Sequence, residues 1–286
     1  MNKLKEDVIV SLTTWKPRMK NIPEVLDSIY AQTFLPDKIV LNLAYDEVIP
    51  ENIQAYITNR YIEVNRVPNT KVYKKFLPTL LKYPNACVIN IDDDCIYPPT
   101  MIADFMTLHE KYPDFPISGN KVYLYGMQCH CGCASLTKYE YFGEYLHYID
   151  DDLMNNCSSS DIVFTYFATK NRHPYICTKD LYFYNLVQND LENNPYSDTI
   201  VANTDGINTS YNYLVNRFGE VQNVMNLYIN DECIANLVQN QLTYIIDERI
   251  HAELYKQERQ IRSSYAYRLG AFLLKPIKMI KKLLKL

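Results

Sequence analysis

Three consecutive aspartates, Asp92, Asp93 and Asp94, close an apolar run, Ala86-Cys87-Val88-Ile89-Asn90-Ile91. Ionised carboxylates on adjacent residues repel one another unless a cation neutralises them. Oxygen donors suit Mg²⁺ or Mn²⁺, ions that also take phosphate oxygens. In extended backbone successive side chains alternate, so Asp92 and Asp94 point one way and Asp93 the other. Asp92 and Asp94 are therefore the expected metal ligands. A solvated acidic turn would look the same in isolation, but the apolar strand in front favours a site, because strand exits in parallel sheets are where ligands sit. A second carboxylate of interest is Asp161, in Ser158-Ser159-Ser160-Asp161 at the head of an apolar helical stripe. Two readings stay open for it. It can serve as a general base, or as part of a capping-box-like start that favours the helix dipole.

The elements that must position these groups alternate along the first hundred residues. Val8 to Leu12 is a short β-branched run and reads as a buried first strand, broken by the polar Thr13-Thr14-Trp15-Lys16-Pro17-Arg18. Ile22, Val25, Leu26, Ile29 and Tyr30 form one helical stripe. Lys38 to Leu43 is a second strand, Glu51 to Asn59 a short helix, and Tyr61 to Val67 a third strand. Lys71 to Tyr83 reads as a helix with Phe76, Leu77, Leu80 and Leu81 on one face and Lys71, Lys74, Lys75 and Lys82 around it. This β-α-β-α-β-α-β order predicts a parallel sheet covered by helices. Thr13-Thr14 and Asp92 would then converge at the same sheet edge, although far apart in sequence.

Downstream, Met101 to Lys111 reads as a helix, Asn120 to Tyr125 as a strand, Cys129 to Thr137 as a loop lining a cleft, and Asn223 to Asn240 as a helix. The stretch from Tyr182 to Gln222 shows no clear order of elements.

At 286 residues, 48% hydrophobic and 22% charged, the chain has room for one elaborated domain with a tail. The net charge is −4, yet Arg259 to Leu286 carries eight basic residues and no acidic one, leaving −12 on the rest. So acidic a body excludes broad nucleic-acid binding. In the tail, apolar residues from Phe272 to Leu284 are interleaved with lysines, which predicts a basic amphipathic helix lying on an anionic membrane surface rather than crossing it. No secretory signal opens the chain, so the eight cysteines are expected as reduced thiols in a cytosol. Cys129-His130-Cys131-Gly132-Cys133 suggests zinc, but no second pair of ligands at knuckle spacing accompanies it.

Several segments, taken in order, look like a bacterial GT-A-fold glycosyltransferase of the family 2-like, DxD-containing, envelope or capsular polysaccharide type. They are Val10 to Arg18, Leu26 to Thr33, Pro36 to Leu41, Lys71 to Leu80 and Ile91 to Pro98, followed by Ser160-Asp161-Ile162-Val163. The resemblance implies an α/β fold, a GT-A-type Rossmann-like sheet flanked by helices. It implies a GT-A domain over 1–258, with a nucleotide-binding half at 1–100 and an acceptor half at 101–258, and a membrane-association tail at 259–286. It implies transfer of a hexosyl or N-acetylhexosaminyl group from a nucleotide-sugar, most often a UDP-sugar, to a saccharide or lipid-linked saccharide, with Mn²⁺ or Mg²⁺. Thr13, Thr14 and Arg18 would flank the nucleotide, and Lys71 and Lys74 would reach its base or ribose side. Asp92, Asp93 and Asp94 would face the diphosphate and metal, with Asp161 as base of an inverting reaction. The chain departs from that group's pattern at Ser160, where many relatives are acidic, and at His130 to Ala134, where they are Gly-rich. His173 and His251 are further candidate metal ligands. The expected location is the inner face of the cell membrane. Two other readings remain: a nucleotidyltransferase, although no glycine precedes Gly119 to form a phosphate loop, and a non-catalytic membrane-associated saccharide-binding protein, against which intact Asp92 and Asp94 argue.

Overall fold

The structure is a computed structural model and describes residues 6–120, 122–125, 127–130, 133–177, 184–185 and 204–221. The expected helices at 223–240 and 259–286 lie outside the described residues, as do Cys131 and His251. Among the described residues no helix is long and apolar enough to cross a membrane.

The first strands form where β-branched residues cluster. They are β1 (Val8–Thr13), β2 (Lys38–Ala44), β3 (Glu63–Val67) and β4 (Cys87–Ile91). Every residue of β4, and all of β1 except Thr13, is buried, as a strand covered on both faces requires. β1 pairs in parallel with β2 on one side and β4 on the other, and β2 pairs in parallel with β3. The connecting helices are α1 (Ile22–Tyr30), α2 (Glu51–Asn59) and α3 (Leu77–Lys82). Pro23 and Pro78 sit in the first turns of α1 and α3, where a missing N–H costs nothing.

The expected single helix from Lys71 to Tyr83 is instead a 3-10 turn, Lys71–Lys75, followed by α3. Phe76 breaks the run with φ −147°, and Pro78 starts the helix afresh.

The sheet is mixed rather than wholly parallel. After β5 (Cys95–Ile96) and α4 (Met101–Lys111) come β6 (Ile117–Ser118), the small hairpin β7 (Tyr123–Leu124) and β8 (Met127–Gln128), and β9 (Ala134–Thr137). β9 runs antiparallel between β4 and β6, giving the order β3-β2-β1-β4-β9-β6. The segment read as a cleft-lining loop thus ends in a buried strand. Its residues, Ala-Ser-Leu-Thr, are too small and mixed to show as an apolar run.

Three helices complete the described body: α5 (Asp151–Asn156), α6 (Ser160–Lys170) and α7 (Thr204–Phe218). Nine of the eleven residues of α6 are buried, so it is a core helix rather than an amphipathic one. The short strand β10 (Tyr184–Asn185) pairs antiparallel with β5.

Candidate active site

The aspartates occupy the turn between β4 and β5, beyond the carboxyl end of β4. Ser11 lies opposite Asn90 in the β1–β4 ladder, so the residues after β1 meet the residues after β4. Two clusters separated by about eighty positions do converge. The Thr14 hydroxyl donates to Asp93 Oδ2 at 2.6 Å. Arg18 Nη1 donates to Asp93 Oδ1 at 3.0 Å and lies 3.0 Å from Asp94 Oδ2. Arg18 is part-buried, which disfavours its charge, but Asp93 and Asp94 more than offset that and raise its pKa. Thr13 does not reach this cluster, because its hydroxyl donates to the backbone carbonyl of Asn42 at 2.7 Å.

Asp92 pairs with Lys75, a residue the helical reading of 71–83 left undistinguished. Burial pushes the Asp92 carboxyl well above its usual range, while Lys75 opposes that shift. Burial also raises Asp94, with Arg18 opposing. The Lys75 ammonium is held charged against its own burial by Asp92 and then Asp161.

A buried polar network places Lys75. Its carbonyl accepts from the Ser11 hydroxyl at 2.7 Å and from Asn42 Nδ2 at 3.3 Å. Ser11 and Asn42 also bond the Thr79 hydroxyl, at 2.7 and 2.9 Å. The next residue, Phe76, packs between Phe164 and His130, with ring centroids at 4.1 and 5.1 Å. Sheet and α6 together therefore grip the turn from both ends.

Lys74, by contrast, is buried with its ammonium on Asn69 Oδ1 at 2.9 Å, and burial lowers its pKa. Lys71 is exposed and adopts φ +53°, an uncommon conformation for a residue with a Cβ.

Asp161 lies in the first turn of α6 with its side chain 43% exposed. Ser159, not Ser158, is the N-cap, and it makes no side-chain capping bond, so the expected capping box is absent. The carboxylate instead stands 4.0 Å from Nε2 of buried His130. Burial, then the neighbouring Lys75, drives His130 well below its usual pKa, so this ring is neutral. The His130 N–H donates to Thr165 Oγ1 at 2.8 Å, and Thr165 in turn donates to the Asp161 carbonyl at 2.6 Å. His173 donates from Nδ1 to the Asp114 carbonyl at 2.8 Å.

The loop on the other side of the aspartates brings thiols. The Tyr97 hydroxyl donates to the Cys133 carbonyl at 2.7 Å and accepts from the Asp92 N–H at 2.8 Å. Asp92, Cys95 and Cys133 all present donor atoms within 4.8 Å of one another. Carboxylate oxygens with thiols beside them are donor types a divalent cation could take. Asp92 and Asp94 are carboxylates that burial pushes toward the neutral form, and added positive charge is what would hold them ionised. The Cys95 thiol 3.6 Å from Asp94 Oδ1 adds a softer donor beside the oxygens.

The fold is that of a GT-A-type glycosyltransferase. A mannosyltransferase from Pyrobaculum calidifontis, in complex with GDP-Man and Mn²⁺, superposes with a TM-score of 0.59 at 13% identity, over 98% of this chain and 88% of that one. A Staphylococcus aureus TarS fragment in complex with UDP gives a TM-score of 0.46 at 13% identity, over 77% of this chain and 75% of the other, a likeness too weak to add to the fold. Neither a family model nor a curated protein sequence matches the chain.

Proposed function

We propose that the protein transfers a sugar from a nucleotide-sugar donor to a saccharide or lipid-linked saccharide acceptor. The observation that carries this reading is the pairing of two carboxylate groups in different settings at one sheet edge. The Asp92–Asp94 turn is partly buried and bound to Thr14, Arg18 and Lys75. Asp161 stands across Lys75, open to solvent.

Departure of a nucleoside diphosphate requires its charge to be balanced. Arg18 and Lys75 are the cations placed for this; Arg18 is now held by Asp93 and Asp94 and Lys75 by Asp92, carboxylates that a donor phosphate would compete with. A Mn²⁺ or Mg²⁺ ion held by Asp92 and Asp94 would supply Lewis-acid stabilisation of the same charge. Asp161, reachable from solvent, would accept the proton of the acceptor hydroxyl in an inverting transfer. Neutral His130 behind it adds no positive charge that would weaken the base. Thr14 is assigned to orient Asp93, and Thr13 to hold the strand end.

The solved mannosyltransferase with this fold carries a GDP-sugar and Mn²⁺, which supports a metal-bound nucleotide-sugar without choosing the base or the hexosyl type. The basic segment 259–286 would keep the enzyme on the inner face of an anionic membrane, near a lipid-linked acceptor.

The test is a panel of UDP- and GDP-sugars, with release of nucleoside diphosphate measured in Mn²⁺, in Mg²⁺ and in EDTA. We expect turnover with at least one donor, lost in EDTA and in both Asp92→Asn and Asp94→Asn. Full metal-independent turnover in these variants would refute the role given to the turn. Binding of saccharide without release from any donor would favour the non-catalytic reading.

A further inference from the structure

At the opposite end of the same strand, β4 begins with Cys87, which is buried and partnered by two residues from distant parts of the chain. Glu6 Oε2 accepts from the Cys87 thiol at 3.3 Å and lies 3.0 Å from His109 Nε2. The three donor atoms lie within 4.8 Å of one another. Cys87 opens β4, Glu6 precedes β1, and His109 belongs to the last turn of α4. Four residues of β4, Val88 to Ile91, separate Cys87 from Asp92, about 16 Å of strand, so the group forms no part of the proposed sugar-transfer site.

We propose that Glu6, Cys87 and His109 bind a zinc ion that clasps the start of β1, the start of β4 and the end of α4. One sulfur, one imidazole nitrogen and one carboxylate oxygen form a donor set that zinc takes. Tetrahedral bonds of the usual zinc lengths put such ligands about 3.3–3.7 Å apart. The observed 3.0 and 3.3 Å need only a small opening to admit the ion.

The surroundings are built as an outer shell. The second carboxylate oxygen, Glu6 Oε1, accepts from Lys138 Nζ at 2.9 Å, leaving Oε2 to face the thiol and the ring. The Tyr141 hydroxyl donates to the Pro113 carbonyl at 2.6 Å, so its oxygen is free to accept from His109 Nδ1, 3.5 Å away. Without an ion, Nε2–H donates to Glu6 Oε2 at 3.0 Å; with the ion bound, the ring proton would sit on Nδ1 with Tyr141 as its acceptor, and outer partners of this kind fix the ligating nitrogen in zinc sites.

The charges favour a cation. Lys138 is shared between Glu6 and Glu140, two carboxylates to one ammonium. Zinc binding would take Cys87 as the thiolate and release its proton to solvent. The Glu6 side chain is 29% exposed, which gives the ion a path in and leaves the fourth position to water.

The alternative is a plain hydrogen-bonded network in which the Cys87 thiol and His109 Nε2–H both donate to Glu6 Oε2, and it is an outcome of the test. Chelator-treated full-length protein is titrated with Co²⁺ alone, then with Zn²⁺. We expect one equivalent of Co²⁺ to give tetrahedral visible absorption with a thiolate charge-transfer band, displaced by Zn²⁺. Cys133→Ser should keep the band, and Cys87→Ser and His109→Gln should weaken binding by at least ~10-fold. Should Cys87→Ser fail to fold, the wild-type band and His109→Gln decide the matter. Absence of a thiolate band in the wild-type protein overturns the proposal and leaves the hydrogen-bonded network. So does a band lost in Cys133→Ser but kept in Cys87→Ser, which would put the ion at Asp92, Cys95 and Cys133 instead.

Discussion

Replacing Lys75 by Met tests the electrostatics of the site without assuming any activity. The side chains of Lys75 and Asp92 are 15% and 24% exposed, so their pair is mostly out of water. Methionine keeps the apolar stem and removes only the charge. Removing one partner of a buried pair costs about 3–5 kcal/mol when the other charge is stranded. Asp92 is partly solvated and can take up a proton, so about 2–3 kcal/mol is expected at neutral pH. Asp92→Asn should cost less, about 1–2 kcal/mol, because Asp161 still balances part of the Lys75 charge. The double variant should be more stable than the sum of the single losses by about 1–2 kcal/mol.

The pH dependence has a definite sign. Asp92 has a folded-state pKa raised by burial, and removing Lys75 raises it further. The folded Lys75→Met protein then binds a proton more readily than the unfolded chain, so its stability falls as pH rises through the folded pKa. Its deficit should therefore be full above that pKa and shrink as the pH drops below it. Urea denaturation of the four proteins across the acid range measures both effects. Additivity within about 0.5 kcal/mol, or a deficit independent of pH, would refute the account of Asp92 as a buried charge held by Lys75.

Asp161→Asn should lower sugar transfer by ~10²-fold or more while leaving donor affinity unchanged; transfer at the wild-type rate would reduce Asp161 to a helix-start residue. Glu63 is hydrogen-bonded by Lys82, Tyr83 and Lys38, which outweigh the opposing effect of its burial and lower its pKa from 4.5 to about 2. Its stabilisation is present above the unfolded value and lost as pH falls from 4.5 toward 2. Glu63→Gln should thus cost about 1–2 kcal/mol at neutral pH, discounted for its half-exposed partners, and flatten the acid limb of a urea-midpoint profile over that window. A protein ending at Arg259 should stop sedimenting with anionic liposomes; unchanged sedimentation would remove the membrane role from the tail.

The parallel half of the sheet was legible because each strand is a short β-branched run set between helical stripes or a turn. Convergence of Thr14 with the aspartates followed from that order alone, whereas Arg18 entered only through the family resemblance, and Thr13, expected beside Thr14, bonds the Asn42 carbonyl instead. The pairing within the cluster did not follow from the order. Strict alternation would put Asp92 and Asp94 on one side and Asp93 on the other, yet Arg18 binds both Asp93 and Asp94, while Asp92 turns to Lys75. The backbone leaves the strand at Ile91, and alternation holds only while it is extended. β9 was missed for a different reason: four small or mixed residues carry no period, and only burial between β4 and β6 makes them a strand.

Lys75 is the instructive omission. Read as an α-helix, the run Lys71 to Lys82 scatters its lysines around one apolar face and prefers none. A 3-10 turn has three residues per turn and ends where its geometry fails, and here Phe76 buries itself and stops it. A signal for this existed outside the run. Ser11, Asn42 and Asn90 each place a fully buried polar side chain within a mostly apolar strand. All three fall within the last three residues of β1, β2 and β4. Buried polar groups require partners, so polar residues near the same end of neighbouring strands imply a non-sheet segment resting there. Ser11 and Asn42 find that partner in the Lys75 carbonyl and the Thr79 hydroxyl. The polar shelf beneath the sheet edge fixes the turn, and the turn delivers the ammonium to Asp92.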